Sequence, residues 1–565
     1  MFDTFTAEAR RILQQKFGQD TEDVRWSMQR ESGRGDIATS VALSFAKQLK
    51  KDPKAVAKVL ADGLSKLPFV EKAEVAGAGY VNLWLKPSVL LAHLEETRSA
   101  IKPQPIDKKK PPVIIDYCGP NIAKPLGAHH LGPHFIGQAI INIYKHTGVH
   151  TIGWSYPGDW GTQFGKLAVA HRLWGDKKSS AYSVEELLAL YVRFHEEAEK
   201  NPALEDEARA VFTNLEGGDK QVRAFWKDVV ATSYVALDAL YERLHIHIDV
   251  VTGESFYEDK MESILEEGVK KGVFTKGENG ALIVSFPEDT GLPPLLVRKS
   301  DGSTLYATRD LAMIRYRIDT YHPSALYYVV DVAQSLHFQQ LEATCRLLGW
   351  QLPAFEHTVF GRMRFQGASM STRKGTSIRM EQLIEEAVRR AEALIAEHGD
   401  TIQTDDPKAL AEMMGIGALA YGILSQNRKM DIVFDWDKML SFEGNSAPYL
   451  QYTHARARSV LRKAEGAIAG FPADVPPLTD SERLLLRTLI QFPSVVDAAR
   501  DTRMPHKLTN WLFQLAQDFN AFYNNDPILK AAEPARAFRL ALTAQVADAL
   551  KTGAELLTLR VPDKM

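Results

Sequence analysis

Strand signals occupy only part of this chain, and their uneven distribution limits the folds open to it. Short apolar runs such as Val113–Tyr117 and Tyr327–Val330 alternate with helical patterns between residues 113 and 330. That alternation favours a parallel α/β sheet with helices on its faces. After residue 380 the strand signals almost vanish, and apolar residues recur at helical spacing. The sequence therefore predicts an α/β domain followed by an all-α bundle.

The chain has 565 residues, which is too long for a single hydrophobic core, so we expect several domains. Helical patterns over Val41–Leu49 and Pro53–Leu64 and a strand-like Tyr80–Leu85 precede a Pro- and Lys-rich stretch near residue 105. The predicted fold is multidomain α/β: an N-terminal α+β domain over 1–105, a Rossmann-like parallel-sheet domain over 106–380 with an insertion at about 170–290, a helical connecting region over 381–440, and an all-α bundle over 441–565. Two further apolar runs, Ala281–Phe286 and Leu295–Val297, are assigned to the same parallel sheet.

Charge and cysteine content exclude some classes of protein. Lys plus Arg number 68 against 71 Asp plus Glu, so the chain does not hold nucleic acid by charge alone. Cys118 and Cys345 are too few for a disulfide framework or a Cys-rich zinc site, which indicates a reducing, cytoplasmic location. No run approaches the ~20 apolar residues of a membrane span. We therefore expect neither a metal site nor a membrane partner.

A turn and a histidine pair lie between the strand at Val113–Tyr117 and a helical pattern that starts near Leu131. The intervening segment reads GPNIAKPLGAHH and contains Lys124 and the pair His129-His130. Backbone N–H groups at such a turn, with Lys and His side chains beside them, can stabilise phosphate charge. The alternative is an ordinary turn with two surface histidines.

Two further segments carry groups suited to ligand binding. Gly158–Gly165 reads GDWGTQFG, and its composition alone predicts only a glycine-rich loop. Tyr306 and Asp310 share a face if their segment is helical. A carboxylate beside a phenol suits a guanidinium, because a guanidinium–carboxylate pair is planar and directional. The alternative is an amphipathic helix in which Asp310 pairs with a neighbouring Arg.

Two segments beyond residue 365 are candidates for binding phosphates and RNA. Ser369–Gly375 reads SMSTRKG, and such a basic segment could close over a triphosphate and stabilise the leaving pyrophosphate. A solvated basic loop is the alternative. Gly444–Arg456 and Phe519–Tyr523 interleave aromatic residues with Arg and Asn, which can stack on and hydrogen-bond to unpaired RNA bases. The alternative for these aromatic residues is a place in the core.

These segments together resemble arginyl-tRNA synthetases, and GDWGTQFG is the most specific match. GPNIAKPLGAHH is similar to the first class I signature, in which Ser-Pro-Asn-x-x-Lys-Pro leads into His-x-Gly-His. SMSTRKG is similar to the second, Lys-Met-Ser-Lys-Ser. Four positions differ: Gly119 replaces Ser, Gly127 the first histidine, His129 the glycine, and Ser369 the first lysine. The resemblance begins at Gly33-Arg34-Gly35-Asp36, which is similar to part of the family's N-terminal tRNA-elbow domain.

The resemblance implies roles for individual residues. The implied catalytic residues are His129, His130, Lys124, Arg373 and Lys374. The implied arginine contacts are Asp116, where the family more often has Glu, with Asn121, Tyr306, Asp310 and Gln334. The implied ATP contacts are Lys124, His130, Met370 and Ser371. The implied tRNA contacts, in an anticodon-binding helical domain, are Tyr449, Gln451, Tyr452, Arg456, Asn520 and Tyr523.

The resemblance also implies the reaction and its partners. L-arginine's carboxylate would attack the α-phosphorus of ATP, which Mg²⁺ accompanies, and the 3′-terminal adenosine of the tRNA for arginine would then accept the arginyl group. Positioning and charge stabilisation suffice for both steps. We expect a monomer. Two alternatives remain: a synthetase-derived protein that binds tRNA or arginine without catalysis, suggested by Gly127, His129 and Ser369, and a nucleotidyltransferase acting on a small acid, which leaves the helical bundle unexplained.

Overall fold

The computed structural model describes residues 2–31, 33–365, 378–399, 402–464 and 470–565. The first part of the chain is a four-stranded antiparallel sheet, of strand order β1-β2-β4-β3, with helices packed beside it. Its elements are α1 Phe2–Phe17, β1 Trp26–Met28, β2 Ile37–Thr39, α2 Val41–Leu49, α3 Pro53–Leu64, β3 Val70–Ala76, β4 Tyr80–Leu85 and α4 Pro87–Ile101. Asp52 caps α3 by accepting from the Lys54 amide, and Pro53 follows at the first helical position. The predicted bounds of α2, α3 and β4 are confirmed.

A five-stranded parallel sheet of order β12-β11-β5-β6-β7 forms the centre of the molecule. The elements of this part are β5 Val113–Cys118, α5 Leu131–His146, β6 Thr151–Ser155, α6 Thr162–Trp174, α7 Val184–Lys200, α8 Ala203–Glu216, α9 Lys220–Arg243, β7 Val250–Val251, α10 Met261–Lys270, β8 Phe274–Lys276, β9 Leu282–Val284, β10 Leu295–Arg298, α11 Tyr306–Tyr321, β11 Ala325–Tyr328, α12 Ser335–Leu347, β12 Ala354–His357 and β13 Met363–Phe365. Strands β6 and β7 lie on one side of β5, and β11 and β12 lie on the other, so the strand order reverses at β5, as in Rossmann-like sheets.

Two segments predicted to be strands are strands, but they do not belong to the parallel sheet to which they were assigned. The runs predicted at Ala281–Phe286 and Leu295–Val297 form β9 and β10, but these strands pair antiparallel with each other. Together with β8 they make a separate three-stranded sheet. Short apolar strands are compatible with either pairing, so the apolar pattern did not distinguish the two sheets.

The last part of the described chain is helical apart from one short strand. Its elements are α13 Met380–Glu397, α14 Pro407–Leu424, β14 Ile432–Phe434, α15 Trp436–Met439, α16 Ala447–Lys463, α17 Asp480–Ile490, α18 Phe492–Thr502, α19 His506–Asn525 and α20 Ala535–Leu556. Strand β14 pairs in parallel with β13, which ties this part to the central domain. None of the helices in the described ranges is long and apolar enough to cross a membrane.

A buried ion cluster joins the N-terminal part to the helical bundle. Asp36 is fully buried, and its carboxylate accepts from Arg483 at 2.8 Å and from Arg487 at 3.1 Å. Removing one member of such a cluster leaves a buried charge without a partner, which is strongly destabilising. Although Asp36 belongs to the segment that resembles a tRNA-elbow domain, its side chain therefore holds two parts of the protein together.

Candidate active site and RNA-binding surface

A cavity of about 960 Å³ lies at the carboxyl ends of the parallel strands, beside the reversal in strand order. This is where sheets of this kind bind their ligands. All five residues predicted to contact arginine line the cavity, namely Asp116, Asn121, Tyr306, Asp310 and Gln334. The histidine pair, His129 and His130, lines it as well. The fold thus brings together residues that are up to 218 positions apart, from Asp116 to Gln334.

The altered histidine signature has a steric explanation. A Cβ atom at Gly127 would lie 2.6 Å from Cε1 and 2.7 Å from Nδ1 of His129. Those distances are far inside van der Waals contact, so the His129 imidazole occupies the space that a side chain at position 127 would need. The ring centroids of His129 and His130 are 4.1 Å apart. Gly127 and His129 are therefore complementary departures from the family pattern.

The histidines of this segment are held neutral at physiological pH. Burial lowers the pKa of His129, and the nearby charge of Lys124, itself exposed, lowers it further. Burial and the neighbouring His129 lower the pKa of His130 to about 4. Burial and the neighbouring His130 lower the pKa of His134 to about 3. A triphosphate placed against His129 and His130 would raise their pKa values, because an adjacent negative charge favours the protonated form.

The segment that resembles the second signature lies outside the described residues, and so do Met370, Ser371, Arg373 and Lys374. The described chain that follows it contacts the first signature directly. The Ala128 amide donates to the Ile378 carbonyl at 2.8 Å, and the Met380 amide donates to the Leu126 carbonyl at 2.8 Å. The chain therefore places residue 378, three positions after Gly375, beside the histidine pair.

The string Gly158–Gly165 is held in place by close packing. Gly158 forms a parallel bridge with Asn121, and a Cβ at Gly158 would lie 2.2 Å from Asn121 Oδ1. A Cβ at Gly165 would lie 2.2 Å from the Ala208 carbonyl oxygen, so its absence lets α6 approach α8. The buried Asp159 carboxylate accepts from the Ser255 amide at 2.8 Å and from the Ser255 hydroxyl at 2.7 Å. The packing of this segment therefore fixes the position of Asn121 at the cavity.

Two carboxylates make part of the cavity wall acidic. Asp310 Oδ2 lies 2.6 Å from His337 Nε2, so Asp310 pairs with a histidine and not with the neighbouring Arg of the alternative interpretation. Glu254 pairs with Arg309 at 2.8 Å. Burial raises the pKa of Glu254 to about 7 against the opposing effect of Arg309, and the charge of Asp310 raises it further. A cationic ligand between the two carboxylates would relieve this repulsion.

Asp116 contributes to the cavity from the end of β5, but its carboxylate has an internal partner. Arg317, which is fully buried, donates from Nη2 to Asp116 Oδ2 at 2.6 Å. The Arg317 guanidinium carbon also lies 4.5 Å from the ring centroid of Trp154. Burial raises the pKa of Asp116 while Arg317 lowers it. This pair fixes the end of β5, from which the signature turn departs.

Two residues that line the cavity, Glu254 and His337, were not predicted from the sequence. Glu254 follows β7, a strand of only two residues that is too short to recognise from its pattern. Its position at the carboxyl end of a strand in the parallel sheet is the signal that the topology supplies. His337 stands three residues after Gln334 in the first turn of α12, which a helical projection places on the same face as Gln334. Among the described residues, no group of three or more His, Cys, Asp and Glu side chains is arranged to hold a metal ion.

A second cavity, of about 890 Å³, lies in the helical bundle. Tyr452, Arg456 and Tyr523 line it. The guanidinium carbon of Arg456 lies 4.8 Å from the ring centroid of Tyr452 and 5.0 Å from that of Tyr523. The guanidinium thus lies within cation–π distance of two aromatic rings that line the same cavity, and aromatic and arginine side chains of this kind can stack on unpaired bases.

The other predicted tRNA contacts do not line this cavity. Asn520 accepts from Arg456 and donates to the Tyr449 hydroxyl at 3.0 Å, so Asn520 and Tyr449 orient the arginine. Gln451 is buried, and its amide donates to the backbone carbonyls of Met413 at 3.2 Å and Arg560 at 2.9 Å. The alternative interpretation holds for Phe519 and Phe522, which are fully buried in the core.

Comparison with protein families agrees with this arrangement of domains and sites. Residues 92–436 match the model described as "tRNA synthetases class I (R), catalytic domain". Residues 3–85 match the arginyl tRNA synthetase N terminal domain, and residues 450–565 match the DALR anticodon binding domain. The fold is therefore that of a class I aminoacyl-tRNA synthetase.

Similar proteins of known activity and structure identify the family within this class. An arginine–tRNA ligase of Alkaliphilus metalliredigens is 39% identical over 541 residues, which cover 94% of each chain. One of Fusobacterium nucleatum is 37% identical over 534 residues, covering 94% of this chain and 93% of the relative. The structure of Thermus thermophilus arginyl-tRNA synthetase superposes with a TM-score of 0.78 at 26% identity, covering 100% of both chains.

The chain belongs to the arginyl-tRNA synthetase family. It is an aminoacyl-tRNA ligase whose substrates are arginine, ATP and tRNA.

Proposed function

We propose that the guanidinium of L-arginine binds between Asp310 and Glu254, with Tyr306 beside it. The observation that supports this most strongly is that Asp310 and Glu254 line the same cavity as Tyr306. Burial raises the pKa of Glu254 to about 7 although Arg309 opposes this, and the charge of Asp310 raises it further. A cation placed between the two carboxylates gains charge-assisted hydrogen bonds and relieves the repulsion between them. Asp116, Asn121 and Gln334, which line the same cavity, contact the remainder of the amino acid.

His129 and His130 stabilise the phosphates of ATP as the α-phosphorus is attacked. The support is the filling of the Gly127 space by the His129 imidazole, which puts a ring nitrogen close to where a histidine at position 127 would begin. Lys124 adds a charge near both rings. Met370, Ser371, Arg373 and Lys374 stay predictions from the resemblance. Mg²⁺ accompanies ATP as part of the substrate, since it binds chiefly through phosphate oxygens and water.

Tyr452, Arg456 and Tyr523 contact unpaired anticodon bases of the tRNA for arginine, and Tyr449 and Asn520 position Arg456. Aromatic rings beside an arginine offer such bases a sequence-tolerant stacking surface, and the guanidinium offers hydrogen-bond donors to their edges. Gln451 does not contact the tRNA itself. It supports the binding surface by hydrogen-bonding α16 to α14 and to the C-terminal segment. The enzyme works as a cytoplasmic monomer; both described cysteines are free and buried, which suits a reducing compartment.

Arginine-dependent ATP–pyrophosphate exchange, run with and without tRNA and followed by a charging assay, tests these assignments. Purified wild-type protein should exchange with arginine and not with citrulline, because citrulline lacks the positive charge that Asp310 and Glu254 attract. Equal exchange rates with arginine and citrulline would show that Asp310 and Glu254 do not recognise the side chain of the substrate.

A further inference from the structure

A third cavity, of about 620 Å³, lies where the central domain meets the helical bundle. Its walls come from the end of β12 and the chain that follows it, from residues 427–429 after α14, and from residues 501–507 between α18 and α19. We call it the junction cavity. It is separate from the catalytic cavity, but it is close by: Val359 lines the junction cavity, and the next residue, Phe360, lines the catalytic cavity.

The junction cavity carries more positive charge than its carboxylates neutralise. Four cations line it, Arg428, Lys429, Arg503 and Lys507, against Glu356 and Asp501. Arg503 Nε donates to Glu356 at 2.9 Å, and Asp501 is paired with Arg500, which lies outside the lining, at 2.9 Å. Within the described part of the chain, no ion pair forms at the ammonium of Lys429 or Lys507. Both lysines are therefore available to an anion.

The rest of the lining is built in a way that favours an anionic occupant. Arg428 is almost fully buried and is fixed by two backbone carbonyls, those of Val359 and Arg503. Burial lowers the pKa of Arg428 to about 10 although Glu356 opposes this, and the charge of Arg503 lowers it further. Nδ1 of His506 is buried and has no hydrogen-bond partner in the described structure. A buried cation and an unpaired polar atom both gain from a negatively charged ligand.

We propose that the junction cavity binds a backbone phosphate of the tRNA. This rests on the ligase function, because a tRNA whose anticodon lies on the bundle and whose 3′ end enters the catalytic cavity must cross the junction between the two. Phosphodiester groups are the anions that such a ligand presents along its whole length, and Lys and Arg clusters bind them without reading sequence. Lys429 and Lys507 supply the contacts that change when RNA binds, whereas Arg428 shapes the cavity floor.

The test uses Lys429→Ala, Lys507→Ala and the double variant, with Lys270→Ala as the matched control. Lys270 is an exposed lysine on α10 that lines none of the three cavities. Neither target lysine has a side-chain hydrogen bond in the described structure, so the substitutions should leave the fold intact. Binding of a tRNA transcript is measured at several salt concentrations, and charging kinetics are measured at saturating arginine and ATP.

The double variant should bind tRNA about ten-fold more weakly, and the slope of log affinity against log salt should fall by about 0.7–0.9 for each lost phosphate contact. It should raise the KM for tRNA and leave kcat unchanged. The inference is overturned if the double variant keeps the wild-type affinity and slope, or if Lys270→Ala weakens binding as much.

Inorganic phosphate is the second probe. If phosphate raises the melting temperature of wild type but not of the double variant, while the double variant keeps the wild-type affinity for tRNA, the cavity binds free phosphate and the RNA assignment is wrong. Failure of wild type to charge tRNA would instead count against the ligase assignment.

Discussion

Replacing His129 by Ala removes the imidazole that fills the space beside Gly127. In the proposed reaction this ring donates to a phosphate oxygen as negative charge builds during adenylate formation. Losing one such preorganised donor costs about 10²–10³-fold in kcat, or about 2.7–4 kcal/mol. We expect His129→Ala to lower the rate of adenylate formation by about 10²-fold or more. Thermal stability and tRNA affinity should change little, because His129 is only partly buried and remains in contact with solvent.

Gly127→Ala tests the same geometry without removing the ring. The added Cβ would lie 2.6 Å from His129 Cε1, whereas ordinary contact begins at 3.4 Å, so the ring must withdraw by about 0.8 Å. Displacements of about 1 Å can cost 10²-fold in rate when a group must be positioned for catalysis. The double variant Gly127→His/His129→Gly, which restores the usual order of the signature, should recover activity to within about ten-fold of wild type.

The assay is single-turnover adenylate formation at saturating arginine, ATP and tRNA, with His195→Ala, on helix α7, as a control. An unchanged rate in His129→Ala would show that the ring takes no part. A rise in both rate and ATP affinity would show that the imidazole obstructs the nucleotide. Either result would refute the idea that Gly127 and His129 together replace the usual first histidine.

Other predictions follow from the two cavities and the buried histidines. Asp310→Asn should lower kcat/KM for arginine by about 10- to 150-fold, the value of a charge-assisted pair of about 1.5–3 kcal/mol, in steady-state exchange kinetics; Asp319→Asn, on the same helix but in an exposed pair with Arg315, should have almost no effect. Arg456→Ala should raise the KM for tRNA, with no change in the KM for arginine, and a normal tRNA KM would contradict the proposed base contact. The free energy of unfolding should fall as pH drops below about 6.5, because the unfolded chain then protonates His130 and His134 while the folded protein holds their pKa values at about 4 and about 3. Denaturant titrations between pH 7 and pH 4 should show a smaller loss for His134→Gln, and an equal loss would assign the effect to other groups.

Local patterns predicted those parts of the fold that local interactions determine. The bounds of α2, α3 and β4 agree with the structure, since capping residues and apolar spacing lie within the elements themselves. The sheet to which β9 and β10 belong could not be predicted, because pairing partners are set by contacts between distant residues. Strands β7 and β14 have two and three residues, too few for a periodic pattern to form.

The candidate site shows the same division. Tyr306 and Asp310 were linked by helical spacing, and the structure confirms that α11 begins at Tyr306. Glu254 belongs to the site only because β7 lies at the edge of the parallel sheet, which no nearby residue indicates. Gln451 and Arg456 look alike in sequence, as polar residues on one amphipathic helix, but the first is buried against two backbone carbonyls while the second lines a cavity.

The altered signature involves both the local sequence and the three-dimensional arrangement of the side chains. A pattern search treats Gly127 and His129 as two separate defects, because it compares positions along the chain. In three dimensions the two departures are sterically linked, since a Cβ at position 127 would clash with the ring of His129. Catalysis by this kind of enzyme requires a donor at a given point and not at a given position in the sequence. The pairing of a loss with a matching gain is therefore what an active site that has kept its function would show, whereas a decaying site would lose its groups independently.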